Sequence, residues 1–167
     1  QLAHAARGCR ERAGLSGQAA PDAEPPPPGL SAAVASELQA ANARLPERHR
    51  EAMALRELLG LHYDQIAAVT GLETAAVGPL LARARLRLRV ELRGPLPLSG
   101  KVCTAQDRAI RLLAGRQDSE PVSSQDEGWL LAHLGDCEPC ERAHAAMLEA
   151  SVCYRGWWVE DQLPVAG

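Results

Sequence analysis

A chain of 167 residues has room for one ordinary domain or two small ones. It is 46% hydrophobic but only 3% aromatic, with no Phe, so its core must come from Leu, Ala and Val, which suits helices better than a sandwich or barrel. Net charge is −3, yet residues 44–93 carry 9 basic and 6 acidic side chains (+3) and residues 94–167 carry 6 and 11 (−5), which points to two modules with different partners. No apolar run reaches the roughly 18 residues of a membrane span. Gln1 to Gly14 is Ala/Arg-rich with no apolar stretch of the signal-peptide kind, so the expectation is a cytoplasmic protein with no membrane partner. A start at Gln1 rather than Met fits a piece of a longer product. In a reducing compartment, 5 cysteines point to metal or redox chemistry rather than to disulfides.

In chain order, Pro25 to Pro28 followed by Gly29 cannot be helical and forms an extended spacer, giving a Pro-rich linker over 15–30. Ser31 to Arg44 lacks Gly and Pro and predicts a helix. Leu45-Pro46-Glu47 restarts the helix, with Pro at its first position and an acid beside its positive end. Ala52, Leu55 and Leu59 then fall on one face, and Gly60 stops it. A shorter helix from Tyr63 to about Val69 turns Ile66 and Val69 inward, and Thr70-Gly71-Leu72 forms a tight turn whose glycine supplies positive φ.

The next helix places Val77, Leu81, Ala84 and Leu88 on its inner face. Alternation of Arg83, Arg85, Arg87 and Arg89 with Ala84, Leu86 and Leu88 also fits a strand, but Ala, Leu and Arg are strong helix formers. Pro79 costs about 3 kcal/mol in a helix interior, so a helix that starts late, with Gly78 as cap and Pro79 in the first turn, is the expected remedy. Gly94 to Gly100 is a second linker, and Gln117 to Gly128 reads as a Ser/Asp/Glu-rich loop. The class is all-α.

The tail carries His133, Cys137 and Cys140 in H-x3-C-x2-C spacing. His133 and Cys137 share a helix face, and two thiolates bracketing Glu138-Pro139 can bite one metal. Tetrahedral Zn2+ needs a fourth ligand, which Cys103 supplies, with Cys153 and His144 as fallbacks. The alternative for Cys137 and Cys140 is a redox dithiol, although no βαβ pattern surrounds them. Cys9 and Cys153 read as spare, and His144 as a surface residue. Trp157-Trp158 either docks a partner or packs against the metal module, packing being the simpler use. No paired carboxylates, nucleophile triad or phosphate loop appears, and a closed metal set leaves no position for water, so an enzyme is not expected.

Leu45-Pro46-Glu47-Arg48, Ala54-Leu55-Arg56, Leu61 to Ala67, Gly71-Leu72, Val77 and Arg83-Ala84-Arg85 together resemble region 4 of bacterial sigma-70 factors, closest to the extracytoplasmic-function group. Leu2 to Arg12 is similar to the tail of the region 2 helix, placing a remnant of that region at 1–14. The resemblance implies a helix-turn-helix domain at 31–93 that sets its second helix in the major groove of a −35-like promoter element and binds core RNA polymerase. It implies DNA contacts at Tyr63, Thr74, Ala75, Ala76, Gly78, Arg83, Arg85 and Arg87, with Arg89 beside them. Of these, the arginines would contact phosphates. Where the family carries basic residues for base reading, this chain has Gly78 and Leu80.

Cys103, Arg111 to Gly115 and His133 to Cys140 resemble the zinc-finger domain of zinc-binding anti-sigma factors, here at 101–156 behind the 94–100 linker and ahead of a 157–167 tail. The gap between Cys103 and His133 is longer than in that family. The expectation is therefore a sigma-factor-like transcription regulator with a fused zinc module, and with an intramolecular contact between the basic and acidic segments. The alternative is an anti-sigma-like adaptor whose helix-turn-helix no longer reads DNA.

Overall fold

The computed structural model describes residues 32–96 and 103–161, and no strand occurs among them. The expected region 2 remnant, the Pro-rich linker and Cys9 lie outside the described residues. Among the described residues seven α-helices follow in order: α1 (Ala32–Ala43), α2 (Glu47–Met53), α3 (Tyr63–Thr70), α4 (Thr74–Arg93), α5 (Gln106–Gln117), α6 (Ser124–Asp136) and α7 (Glu138–Asp161).

Local chemistry explains most of the boundaries. Pro46 precedes α2 and Glu47 lies in its first turn, as the restart motif requires. Gly71 ends α3 at φ 70°, the left-handed geometry that turns the chain into α4, and the two helices stand at 94° to one another. Ser123 caps α6 by accepting a hydrogen bond from the Asp126 backbone N–H at 3.1 Å. No single helix is long and apolar enough to cross a membrane.

Val77, Leu81, Ala84 and Leu88 are fully buried, so the inner face of α4 is the one its periodicity predicts. Three expectations are corrected. Leu59 is 66% exposed, because Ala54–Leu58 continues α2 as a π-helical turn that inserts one residue and carries Glu57 inward in its place. Val69 is 60% exposed, leaving Ile66 to anchor α3. Pro79 lies inside α4 rather than in its first turn, so Ala75, on the exposed start of the helix, lacks the donor that Pro79 would otherwise provide.

The loop expected from Gln117 to Gly128 shrinks to the stretch between Gln117 and Ser124. Its first residue, Asp118, is only 3% exposed. Both sides of the second linker build the same cores. Ala84 and Leu88 of α4 pack with Ala150 and Tyr154 of α7, while Ala82 joins Ala109, Leu113, Leu130, Cys140 and Met147. Cys153, expected to be spare, is instead disulfide-bonded, which corrects the expectation against disulfides at that position, and it packs with Val34 and Leu38. Trp157 packs edge-on to Tyr154, with ring centres 5.5 Å apart, and against the cluster of Val34 and Leu38, so it packs but not against the metal module. Helix α4 is thus a spine with two buried faces, one towards α1–α3 and one towards α5–α7.

A candidate metal cluster and a helix-turn-helix closed by an acidic corner

Four side chains converge at the junction of α5, α6 and α7. Cys103 precedes α5, His133 lies in the last turn of α6, Cys137 follows that helix, and Cys140 sits in the first turn of α7. One ligand atom from each lies within 4.8 Å of every other. His133 Nε2 stands 3.5 Å from Cys103 Sγ and 3.3 Å from Cys140 Sγ. Tetrahedral zinc, with Zn–S near 2.3 Å and Zn–N near 2.0–2.1 Å, separates its S and N ligands by about 3.5 Å, so the donor set and spacing fit the ion. Cys137 and Cys140 are free thiols drawn into a group of four rather than standing as an isolated pair.

The cluster's electrostatics agree with that fit. Burial pushes the Cys140 thiol well above the ordinary thiol range, so without a cation its thiolate is disfavoured. Burial opposes ionisation of Cys137 too, but a hydrogen bond from the Cys140 backbone and the neighbouring thiols outweigh it and lower its pKa. Trp129 stacks on His133 with centroids 4.8 Å apart, and the Arg108 guanidinium lies 4.1 Å above the Trp129 ring. Asp126 holds Arg108 from the side at 2.8 Å. This stack fixes the imidazole plane. His144, read as a surface residue, is half-buried, and burial and Arg116 lower its pKa.

Only part of the expected DNA set faces outward. Thr74, Ala75 and Ala76 are exposed on the first turn of α4, and Arg83 and Arg87 are exposed further along it. Arg87 has Glu91 at 4.0 Å, while Arg83 has no ion-pair partner among the described residues. Nearby, burial and then the charges of Arg87 and Arg83 lower the pKa of His49. Gly78 is buried under Tyr63, where a Cβ would meet the ring's Cε2 at 3.0 Å.

Arg85 and Arg89 are not the surface cations that the alternation suggested. Arg85 has 0% exposure, and its Nη2 donates to Glu57 Oε1 at 2.7 Å and to Asp118 Oδ1 at 2.5 Å. Arg89 donates to Glu149 at 2.8 Å. Tyr63 is 9% exposed and its hydroxyl donates to Asp118 Oδ2 at 2.6 Å. Burial, then the Asp118 carboxylate, push that phenol pKa up.

Sequence reasoning missed the network around Arg85. Arg56 adds donors to both the side chain and the carbonyl of Asp118. Ser151 donates to Glu57 at 2.7 Å and Arg155 pairs with it at 2.9 Å. The signal was present in α4, where Ala82, Arg85, Leu86 and Arg89 repeat at i, i+3, i+4 and i+7 and mark a second face.

Beside this network the corner after α5 closes on the helix-turn-helix. Glu120 Oε1 accepts the Tyr63 backbone N–H at 3.0 Å and lies 3.2 Å from His62 Nδ1. A cleft of about 540 Å³ separates Thr74, Ala75 and Pro79 from Arg111, Pro121 and Val122.

Comparison with curated proteins and with solved structures yields no match. Residues 35–88, from α1 through most of α4, match the family model described as Sigma-70, region 4, so that part of the chain is similar to sigma-70 region 4.

Proposed function

We propose that the chain is a sigma-factor-like transcription regulator that acts in the cytoplasm by binding, without catalysis. Its region 4 helix-turn-helix engages promoter DNA and core RNA polymerase, and a zinc-held C-terminal segment packs against it. The observation that carries this is the match over residues 35–88 to sigma-70 region 4, with the first turn of α4 and Arg83 and Arg87 outward. The Cys103, His133, Cys137 and Cys140 spacing supports a Cys3His zinc site. When bound, the ion would tie the start of α5 to the α6–α7 junction. The bonds from Arg56, Tyr63 and Arg85 to Asp118 support an intramolecular contact between the basic and acidic segments.

A second reading, an interaction adaptor, is favoured by one feature. The start of α4 offers Ala75, Ala76, a buried Gly78 and Pro79 where base reading needs long polar side chains. Titration of labelled duplex DNA at two salt concentrations separates the two. The expected result is binding at low salt that weakens steeply as salt rises. Arg83→Ala and Arg87→Ala should each reduce the salt slope by about 0.9, the contribution of one phosphate contact. No binding of the wild-type chain at low salt would instead support the adaptor.

A further inference from the structure

We propose that the corner after α5, Asp118-Ser119-Glu120, is an internal stand-in for DNA phosphate that holds the helix-turn-helix closed. This rests on the DNA-binding reading above and assigns its regulation to particular atoms.

The first helix of a helix-turn-helix crosses the DNA backbone, and the free N–H groups at a helix start attract anions. In this chain α3 is that helix. Its first N–H, from Tyr63, points not at solvent but at the Glu120 carboxylate at 3.0 Å. The same carboxylate oxygen lies 3.2 Å from His62 Nδ1. A phosphate approaching the start of α3 would meet an anion already seated there.

The corner is built to aim that carboxylate. Ser119 has φ 57°, the one non-glycine residue at positive φ among the described residues. The Glu120 N–H donates to the Gly115 carbonyl at 2.9 Å, the six-to-one bond that closes a helix end of this type. Glycine is the usual occupant of the left-handed position, so serine there holds a conformation that its surroundings impose. Asp118 supplies the anchorage, being held by Arg56, Tyr63 and Arg85 at once. Below Glu120, Pro121 and Val122 form one wall of the cleft whose other wall is the start of α4. At about 540 Å³ that cleft has the size of a small-molecule site, and a duplex cannot enter it to reach the Ala75 and Pro79 side of the helix. Access to DNA along that side requires the corner to move, and the Glu120 contact is the part of it that phosphate can displace.

The test compares duplex binding at low salt by the full zinc-loaded chain, Glu120→Gln and Glu141→Gln. Gln keeps the shape of Glu and removes its charge, and Glu141 is an exposed acid on α7 that controls for net charge alone. Helix content and zinc content confirm that each variant is folded. Loss of a charge-assisted bond should tighten DNA binding by E120Q about tenfold, with E141Q unchanged. If wild type binds and E120Q binds no better, or if both variants tighten alike, the phosphate stand-in is overturned while the DNA reading survives. If none of the three binds, the DNA reading itself falls and takes this proposal with it.

Discussion

Arg85 shares one guanidinium between Glu57 and Asp118, all three nearly or fully out of contact with solvent. Burying a cation is costly, and the two carboxylates make it tolerable only because each has further donors, from Ser151 and Arg155 on Glu57 and from Tyr63 and Arg56 on Asp118. Removing the arginine takes from both buried carboxylates the one cation they share, leaving only Arg155 on Glu57 and Arg56 on Asp118. Arg85→Ala should therefore lower the unfolding free energy by about 3–5 kcal/mol in urea denaturation. Arg83, exposed one turn face away, should cost within about 0.5 kcal/mol when changed to Ala. Equal, small losses at both positions would mean that the network contributes nothing to the folded state.

At the scale of elements, the contact between α3 and α4 depends on a missing side chain. Gly in a helix interior normally costs up to about 1 kcal/mol relative to Ala, so Gly78→Ala would ordinarily stabilise. Here the added Cβ meets Tyr63 Cε2 at 3.0 Å, and the ring cannot retreat because its hydroxyl is held by Asp118 at 2.6 Å. G78A is expected to destabilise by about 1–3 kcal/mol, as overpacking does, and to cost less in a Tyr63→Phe background where the ring is untethered. A double-mutant cycle by thermal melting checks this, and additive losses would refute the tether. The same interface explains what the sequence could and could not disclose. Val77, Leu81, Ala84 and Leu88 were legible because their burial follows a local period. The convergence of His133, Cys137 and Cys140 was legible because they lie within two helical turns. Leu59 misled because a π turn shifts the phase of α2 by one residue, and nothing local announces such a turn. Arg85 misled because its partners lie 28 and 33 residues away, and alternation alone cannot separate a buried cation from a surface one.

For the whole molecule, the decisive feature is that α4 serves both halves. Ala82 and Leu86 pack in the cluster that holds Cys140, Cys103 and Cys137, while Ala84 and Leu88 pack with Met53 and Leu45. A metal at the four-residue cluster would thus stabilise the region 4 segment through a helix that belongs to both. Calorimetry should then give one unfolding transition, not two. Metal present at about a thousand times its Kd adds about 4 kcal/mol. At about 2–4 °C per kcal/mol for a chain of this size, chelation should lower the transition by about 8–16 °C. Arg85→Ala, which cuts the polar joint but leaves the shared apolar clusters, should lower that single transition without splitting it. Two transitions already present in the wild-type chain, with the region 4 one indifferent to chelator, would show that the shared helix does not couple the halves.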